Sequence, residues 1–189
     1  SEQIKLVKDL KQQIIRKIIY ENITQKEEEI LCLSKVAGIN LNIERFSIII
    51  ELKDIVDSDS AQNFKIMRQI EKYLTNSEFI LEDDISGSIN KSYIIFKQLS
   101  LKNYKNEQEY MEKLSRKIYE KCGIEVRIVA GGFYESIEGL KKSFNEAKEL
   151  LRISSSSIIN INNLNVQTCY LLNQIDQSVL EHFIKPIYD

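Results

Sequence analysis

The sequence predicts an α+β fold, and three observations carry that prediction. Short apolar runs of strand length, RFSIIIEL (45–52), SYIIFKQL (92–99) and VRIVA (126–130), alternate with stretches of helical periodicity. The elements read β-α-β-β-α-β-α-β between helical ends, and this order contains a βαββαβ sheet with helices covering one face. Finally, 189 residues with 43% hydrophobic and 29% charged content are enough to bury a single core without a metal or a disulfide.

Each element follows from local pattern. Residues 1–21 place Ile4, Val7, Ile14 and Ile18 on one stripe broadened by Leu10 and Ile15, which predicts an amphipathic helix. It begins at the first residue without a cap, as a helix continuing from a longer chain does. Thr24 and Glu27 form a capping-box pattern for a second helix, with Ile30, Leu33 and Ala37 inward and Gly38 at its C-terminal cap. Strand 45–52 is apolar on both faces, as a central strand is. A helix to about Leu74 buries Phe64, Met67, Ile70 and Leu74. Residues 78–81 and 92–99 are expected to form a hairpin whose connection is the polar EDDISGSINK around Gly87. Met111, Leu114, Ile118 and Cys122 mark an inward helical stripe stopped by Gly123. After strand 126–130, Ser136 is placed to cap a helix that buries Leu140, Phe144, Ala147 and Leu151. A short strand at 158–161 and helices near 166–172 and 179–185 complete the chain.

Composition excludes several classes. The net charge of −2 lacks the basic excess of a nucleic-acid-binding module. No apolar run approaches the length of a membrane span, and charges interrupt the N-terminus where a signal peptide would be apolar. Cys32, Cys122 and Cys169 stand singly, which fits reduced thiols in a cytoplasm. All three are read as buried packing residues.

The chemistry-bearing candidates are few. VRIVAGGFYESIEGL places a glycine pair between a strand and a helix, the parts of a phosphate-binding loop. Glu135 and Glu138 already put negative charge at that helix start, and no Lys-Ser/Thr follows the glycines, so a strand-to-helix corner is the preferred reading. His182, the single histidine, has no companion nucleophile or further ligands at metal spacing, and a surface role is preferred. Asp54, Asp57 and Asp59 read as a solvated loop with a helix cap rather than a metal nest. The stripe Ile4, Val7, Leu10, Ile14 and Ile18 is the candidate self-association surface, with packing on the chain's own sheet as the competing reading.

Three segments then carry a family resemblance. SKVAGINLNIERFSIIIEL (34–52), GLKKSFNEAKELLRIS (139–154) and LLNQIDQSVLEHFIKPIYD (171–189) resemble, in order and spacing, the GGDEF-like central domain of CdaR/PucR-type transcriptional regulators. That domain is a degenerate relative of the diguanylate cyclases, and the likeness covers about residues 27–189. The resemblance implies a ferredoxin-like, GGDEF-like sheet. In the cyclases a Gly-Gly-Asp/Glu-Glu-Phe turn joins the second and third strands and helps bind metal and substrate. Here EDDISGSINKSY stands in that region, with Asp83, Asp84 and a lone Gly87.

The expectation is therefore a non-enzymatic regulatory and dimerisation domain of a cytoplasmic transcriptional regulator, with no catalytic residue, cofactor or metal. Residues 1–40 would be a helical linker, 41–163 the degenerate GGDEF-like domain, and 164–189 helices leading to a helix-turn-helix DNA-binding domain outside this chain. A homodimer and an unknown small-molecule effector are the implied partners. Two alternatives stand beside it: a nucleotide-binding or residual cyclase domain using Asp54 with Asp83 or Asp84, and a small-molecule sensor with its pocket between the helical flanks and the sheet.

Overall fold

The computed structural model describes residues 2–53, 60–98 and 104–175. In chain order these form α1 (Glu2–Tyr20), α2 (Ile23–Val36), β1 (Arg45–Leu52), α3 (Ser60–Thr75), β2 (Ile85–Ile89), β3 (Ser92–Gln98), α4 (Glu107–Cys122), β4 (Val126–Tyr134), α5 (Ser136–Ile153), β5 (Ile158–Asn160) and α6 (Leu164–Gln174). The strands lie in the order β2-β3-β1-β4-β5, with β4–β5 the parallel pair and the other neighbours antiparallel. The first four strands, with α3 and α4, make the predicted βαββαβ unit. The last predicted helix, near 179–185, lies outside the described residues.

Helices cover both faces of this sheet, where the sequence reading placed them on one. β1 shows why: Phe46, Ile48, Ile50 and Leu52 point into a core shared with α3 and α4, while Ile49 points into a core shared with α1, α2 and α5. Alternation along a strand sends successive side chains to opposite faces, so a strand with apolar residues on both faces needs two covers. Each fully buried Ile or Phe contributes about 1.5–3 kcal/mol to that arrangement.

Several boundaries differ from the sequence reading. β2 occupies 85–89, not 78–81, because Asp84 fixes the chain just before it: its carboxylate accepts from Leu81 N at 2.7 Å and Gln98 N at 3.0 Å. Gly87 thus lies inside a strand, beneath α1, where an added Cβ would meet Gln12 Oε1 at 2.1 Å. β4 runs through Gly131 and Gly132 to Tyr134, so the glycine pair is strand and the corner falls at Ser136, with φ 71°. Ser136 Oγ accepts from Gly139 N at 3.3 Å, but Ser136 is the first residue of α5 and Glu135, which makes no side-chain cap bond, holds the N-cap position predicted for Ser136. α2 is capped by Asn22, which accepts from Thr24 N at 3.1 Å, rather than by Thr24 itself. Gly38 and Gly123 take the left-handed conformation at φ 71° and 70°, ending α2 and α4 as predicted. Phe64 is 55% exposed beneath Arg68, against its inward assignment, while Met67, Ile70 and Leu74 are buried. Cys32 and Cys169 are exposed rather than buried, and Cys122 is half-buried against the α3/α4 core. Among the described residues, no helix is long and apolar enough to cross a membrane.

Candidate functional site

The end of β1 and the β2–β3 turn form one edge of the sheet, since Glu51 pairs with Ser92 in register. The turn itself is Asn90–Lys91, between Ile89 and Ser92. Asn90 adopts φ 53°, a left-handed angle that its short amide side chain tolerates better than most. Ser92 Oγ donates to Glu51 Oε1 at 2.9 Å, and Lys53 pairs with Glu125 at 2.7 Å. Asp54, Asp57 and Asp59 lie outside the described residues.

Asp83 and Asp84 sit at the other edge. Arg45, at the start of β1, donates to Asp83 O at 3.0 Å. Eight residues of strand separate that end of β1 from Leu52, roughly 23 Å at the usual rise per residue. Carboxylates clamping a pair of metal ions about 3.5–4 Å apart need strand ends that are neighbours. Lys53 follows Leu52 at the far edge from Asp83 and Asp84, and Asp54, which the alternative joins to them, lies outside the described residues. Asp83 is exposed and Asp84 fully buried. Lys97 Nζ lies 2.6 Å from the Asp84 carboxylate and donates to Phe79 O at 3.0 Å, and Tyr110 OH donates to the same carbonyl at 2.9 Å. Burial pushes the Tyr110 phenol well above its ordinary range, with the nearby Asp84 charge adding to it. This cluster is spoken for by internal bonds. Among the described residues, no three His, Cys, Asp or Glu side chains converge as a metal would require.

The glycine pair builds a third region. An added Cβ on Gly131 would lie 1.9 Å from the backbone oxygen of Ser143, so the glycine lets α5 approach β4 closely. Ser143 Oγ donates to Gly132 O at 2.6 Å and accepts from Ser47 N at 2.8 Å. Next to it, Glu146 accepts from Gly132 N at 2.9 Å and from Tyr134 OH at 2.6 Å. Burial and then the bond to Glu146 push the Tyr134 phenol above its ordinary range. Burial raises Tyr170 on α6 as well, helped by the charges of Glu146 and Glu149. Two hollows flank Glu146 and Tyr170. An open cleft of about 680 Å³ lies between the α1–α2 junction and α5, and a smaller one of about 220 Å³ lies between the end of β4 and α6.

Of the predicted self-association stripe, Leu10, Ile14 and Ile18 are buried in the chain's own core, Val7 is half-buried, and Ile4 is 70% exposed. The competing reading, packing on the sheet, holds for the first three. His182 lies outside the described residues. Sequence reasoning passed over Lys97, Tyr110, Tyr134, Glu146 and Tyr170. Lys97 had a signal, as a charge inside the apolar run SYIIFKQL. Glu146 had one too, a step before Ala147 on an inward helical face.

The class these features define is an α+β module on a βαββαβ sheet with both faces covered by helices. The family model for the GGDEF-like domain matches residues 22–153, more than half of the chain, and the chain belongs to the GGDEF-like domain family. No curated protein and no solved structure matches it.

Proposed function

We propose that this chain is a non-catalytic regulatory and dimerisation domain of a cytoplasmic transcriptional regulator of the CdaR/PucR type. One observation carries the reading. The turn between the second and third strands, which in a cyclase presents an acidic pair to metal and triphosphate, is Asn90–Lys91 here. Lys91 brings positive charge where a divalent ion would have to sit, and such an ion is held by oxygen anions. The nearest acidic pair in sequence, Asp83 and Asp84, is at the opposite edge, and Asp84 is neutralised by Lys97 at 2.6 Å. In this reading the fold serves as a scaffold: α1 passes a change from a preceding sensory segment to the sheet, and DNA is read by a helix-turn-helix outside these residues.

Two measurements test it. Titration with GTP and Mg²⁺ or Mn²⁺ is expected to give no heat and no cyclic dinucleotide; a tight complex or product overturns the reading. An electrophoretic assay with this fragment alone is expected to give no specific DNA shift; a specific shift overturns the division of labour. The small-molecule sensor is the second reading. It is favoured by the clefts beside Glu146, which lie between the helical flanks and the sheet as that alternative requires.

A further inference from the structure

The smaller hollow has an unusual electrostatic composition. Glu146 is 8% exposed, and its carboxylate is bonded to neutral donors, the Gly132 N–H and the Tyr134 hydroxyl. Among the described residues, no Lys, Arg or His lies within ion-pair distance of it. A buried carboxylate without a cation is costly to maintain, and such groups are ordinarily paired or ligated. The walls of the hollow include Asn162, Gln167 and Tyr170, and no basic residue lines it. The larger cleft on the other side of Glu146 and Tyr170 does contain cations, but neither forms an ion pair with Glu146: Lys141 donates to Glu21 O at 2.6 Å, and Lys142 Nζ lies over the Tyr134 ring, 4.4 Å from its centre.

The aromatic groups fit the same sign of charge. The face of a tyrosine ring attracts a cation, and Lys142 already uses Tyr134 in that way. Burial raises the phenols of Tyr134 and Tyr170, and the nearby Glu146 charge adds to it in both. Gly132 helps keep the floor open, since an added Cβ there would stand 3.0 Å from both Glu146 Oε2 and a ring carbon of Tyr134. A space of about 220 Å³ admits a molecule of several heavy atoms, well below the size of a nucleotide site.

We propose that the hollow between β4, α5 and α6 is a binding site for a small organic cation, a protonated amine whose charge pairs with the Glu146 carboxylate beside Tyr134 and Tyr170. The site deepens the sensor reading by naming a ligand class. It does not rest on the transcriptional reading, whose tests use DNA and GTP and fail independently of this one.

The experiment uses the chain as it stands, titrated calorimetrically with butylammonium chloride and with putrescine dihydrochloride. Butyrate and potassium chloride at matched ionic strength are the controls. At about 100 times its Kd an amine is expected to raise Tm by roughly 5–10 °C. Glu146→Gln keeps an acceptor for Gly132 N–H and removes the charge, and it should weaken amine binding at least tenfold. Tyr170→Ala truncates a half-buried residue of α6 that packs against the core, so it should lower the unliganded Tm modestly while still folding, and should weaken binding; it decides the matter if Glu146→Gln does not fold. Absence of heat with both amines at millimolar concentration, or equal binding by wild type and the folded Glu146→Gln or Tyr170→Ala variant, overturns the proposal. So does equal binding of butyrate.

Discussion

Lys97 and Asp84 form a salt bridge of 2.6 Å with their side chains 3% and 0% exposed, joining β3 to the segment that enters β2. Asp84 also holds Leu81 N and Gln98 N, so this one carboxylate sets where β2 begins. Removing one member leaves an uncompensated buried charge, which costs about 3–5 kcal/mol. Lys97→Met alone is expected to lower stability by that amount in urea denaturation. Combining it with Asp84→Asn should restore part of the loss, because the second change discards the orphaned charge while keeping one acceptor. A Lys97→Met variant within about 0.5 kcal/mol of wild type would contradict this account.

Two glycines separate steric from conformational need. Gly131 has a Ser143 backbone oxygen where its Cβ would be, at 1.9 Å, and backbone cannot move aside as a flexible side chain does. Gly131→Ala must push α5 off the sheet, and a loss of about 3 kcal/mol or more is expected. Gly38 has open space around it but φ 71°. Gly38→Ala should cost only the left-handed penalty of about 1–2 kcal/mol. Thermal unfolding of both variants checks the order; a Gly38→Ala variant less stable than Gly131→Ala reverses it.

These glycines also show what the sequence disclosed and what it hid. Gly38 and Gly123 end periodic helices, and a cap at such a place follows from local geometry alone. The role of Gly131 depends on α5 folding back over β4, a contact between segments that periodicity does not describe. β1 was legible because its centre, Ile48 to Ile50, is apolar at every position. β2 was not, since ISGSI has little apolar content and its start depends on a distant partner, Lys97 on β3. The sheet edge that Asp83 and Asp84 occupy was hidden for the same reason: chain distance along EDDISGSINK does not say which edge a residue reaches. The hollow at Glu146 needs β4, α5 and α6 together, so only its inward helical position was visible beforehand.

The edge strand β2 is tied to α1 and α3 through Glu71. Its carboxylate pairs with Lys8 at 2.7 Å and accepts from Ser88 Oγ at 2.8 Å. Burial alone would raise its pKa, but the bonds to Lys8 and Ser88 outweigh it and hold Glu71 below the ordinary 4.5 of a glutamate. A carboxyl depressed in the folded state contributes stability that is fully present above its unfolded value and is lost as pH falls through the folded value. The wild-type urea midpoint is therefore expected to fall as pH drops below about 4.5. Glu71→Gln should be flatter in that window. Parallel pH curves for the two proteins would remove Glu71 from the explanation. Lys8 is substantially exposed, so added salt should weaken the effect.

α1 has two regions with different work. Ile14, Ile15 and Ile18 are fully buried against the sheet, α2 and α5, and Gln12 Nε2 donates to Ser88 O, which covers a carbonyl of the edge strand. Ile4 and Leu6, at 70% and 55% exposure, touch none of this core. Ile14→Ala should cost about 2–5 kcal/mol, the usual range for deleting a buried aliphatic side chain. Ile4→Ser should leave stability within about 0.5 kcal/mol of wild type. If the protein self-associates through α1, the contact must use the first turns, because Leu10, Ile14 and Ile18 are committed to the fold. Sedimentation equilibrium of the paired variant Ile4→Ser/Leu6→Ser should then shift the protein toward monomer with its Tm unchanged. A dimer that survives these changes at the same affinity would place the two-fold contact on another surface and leave α1 as a cover for the sheet.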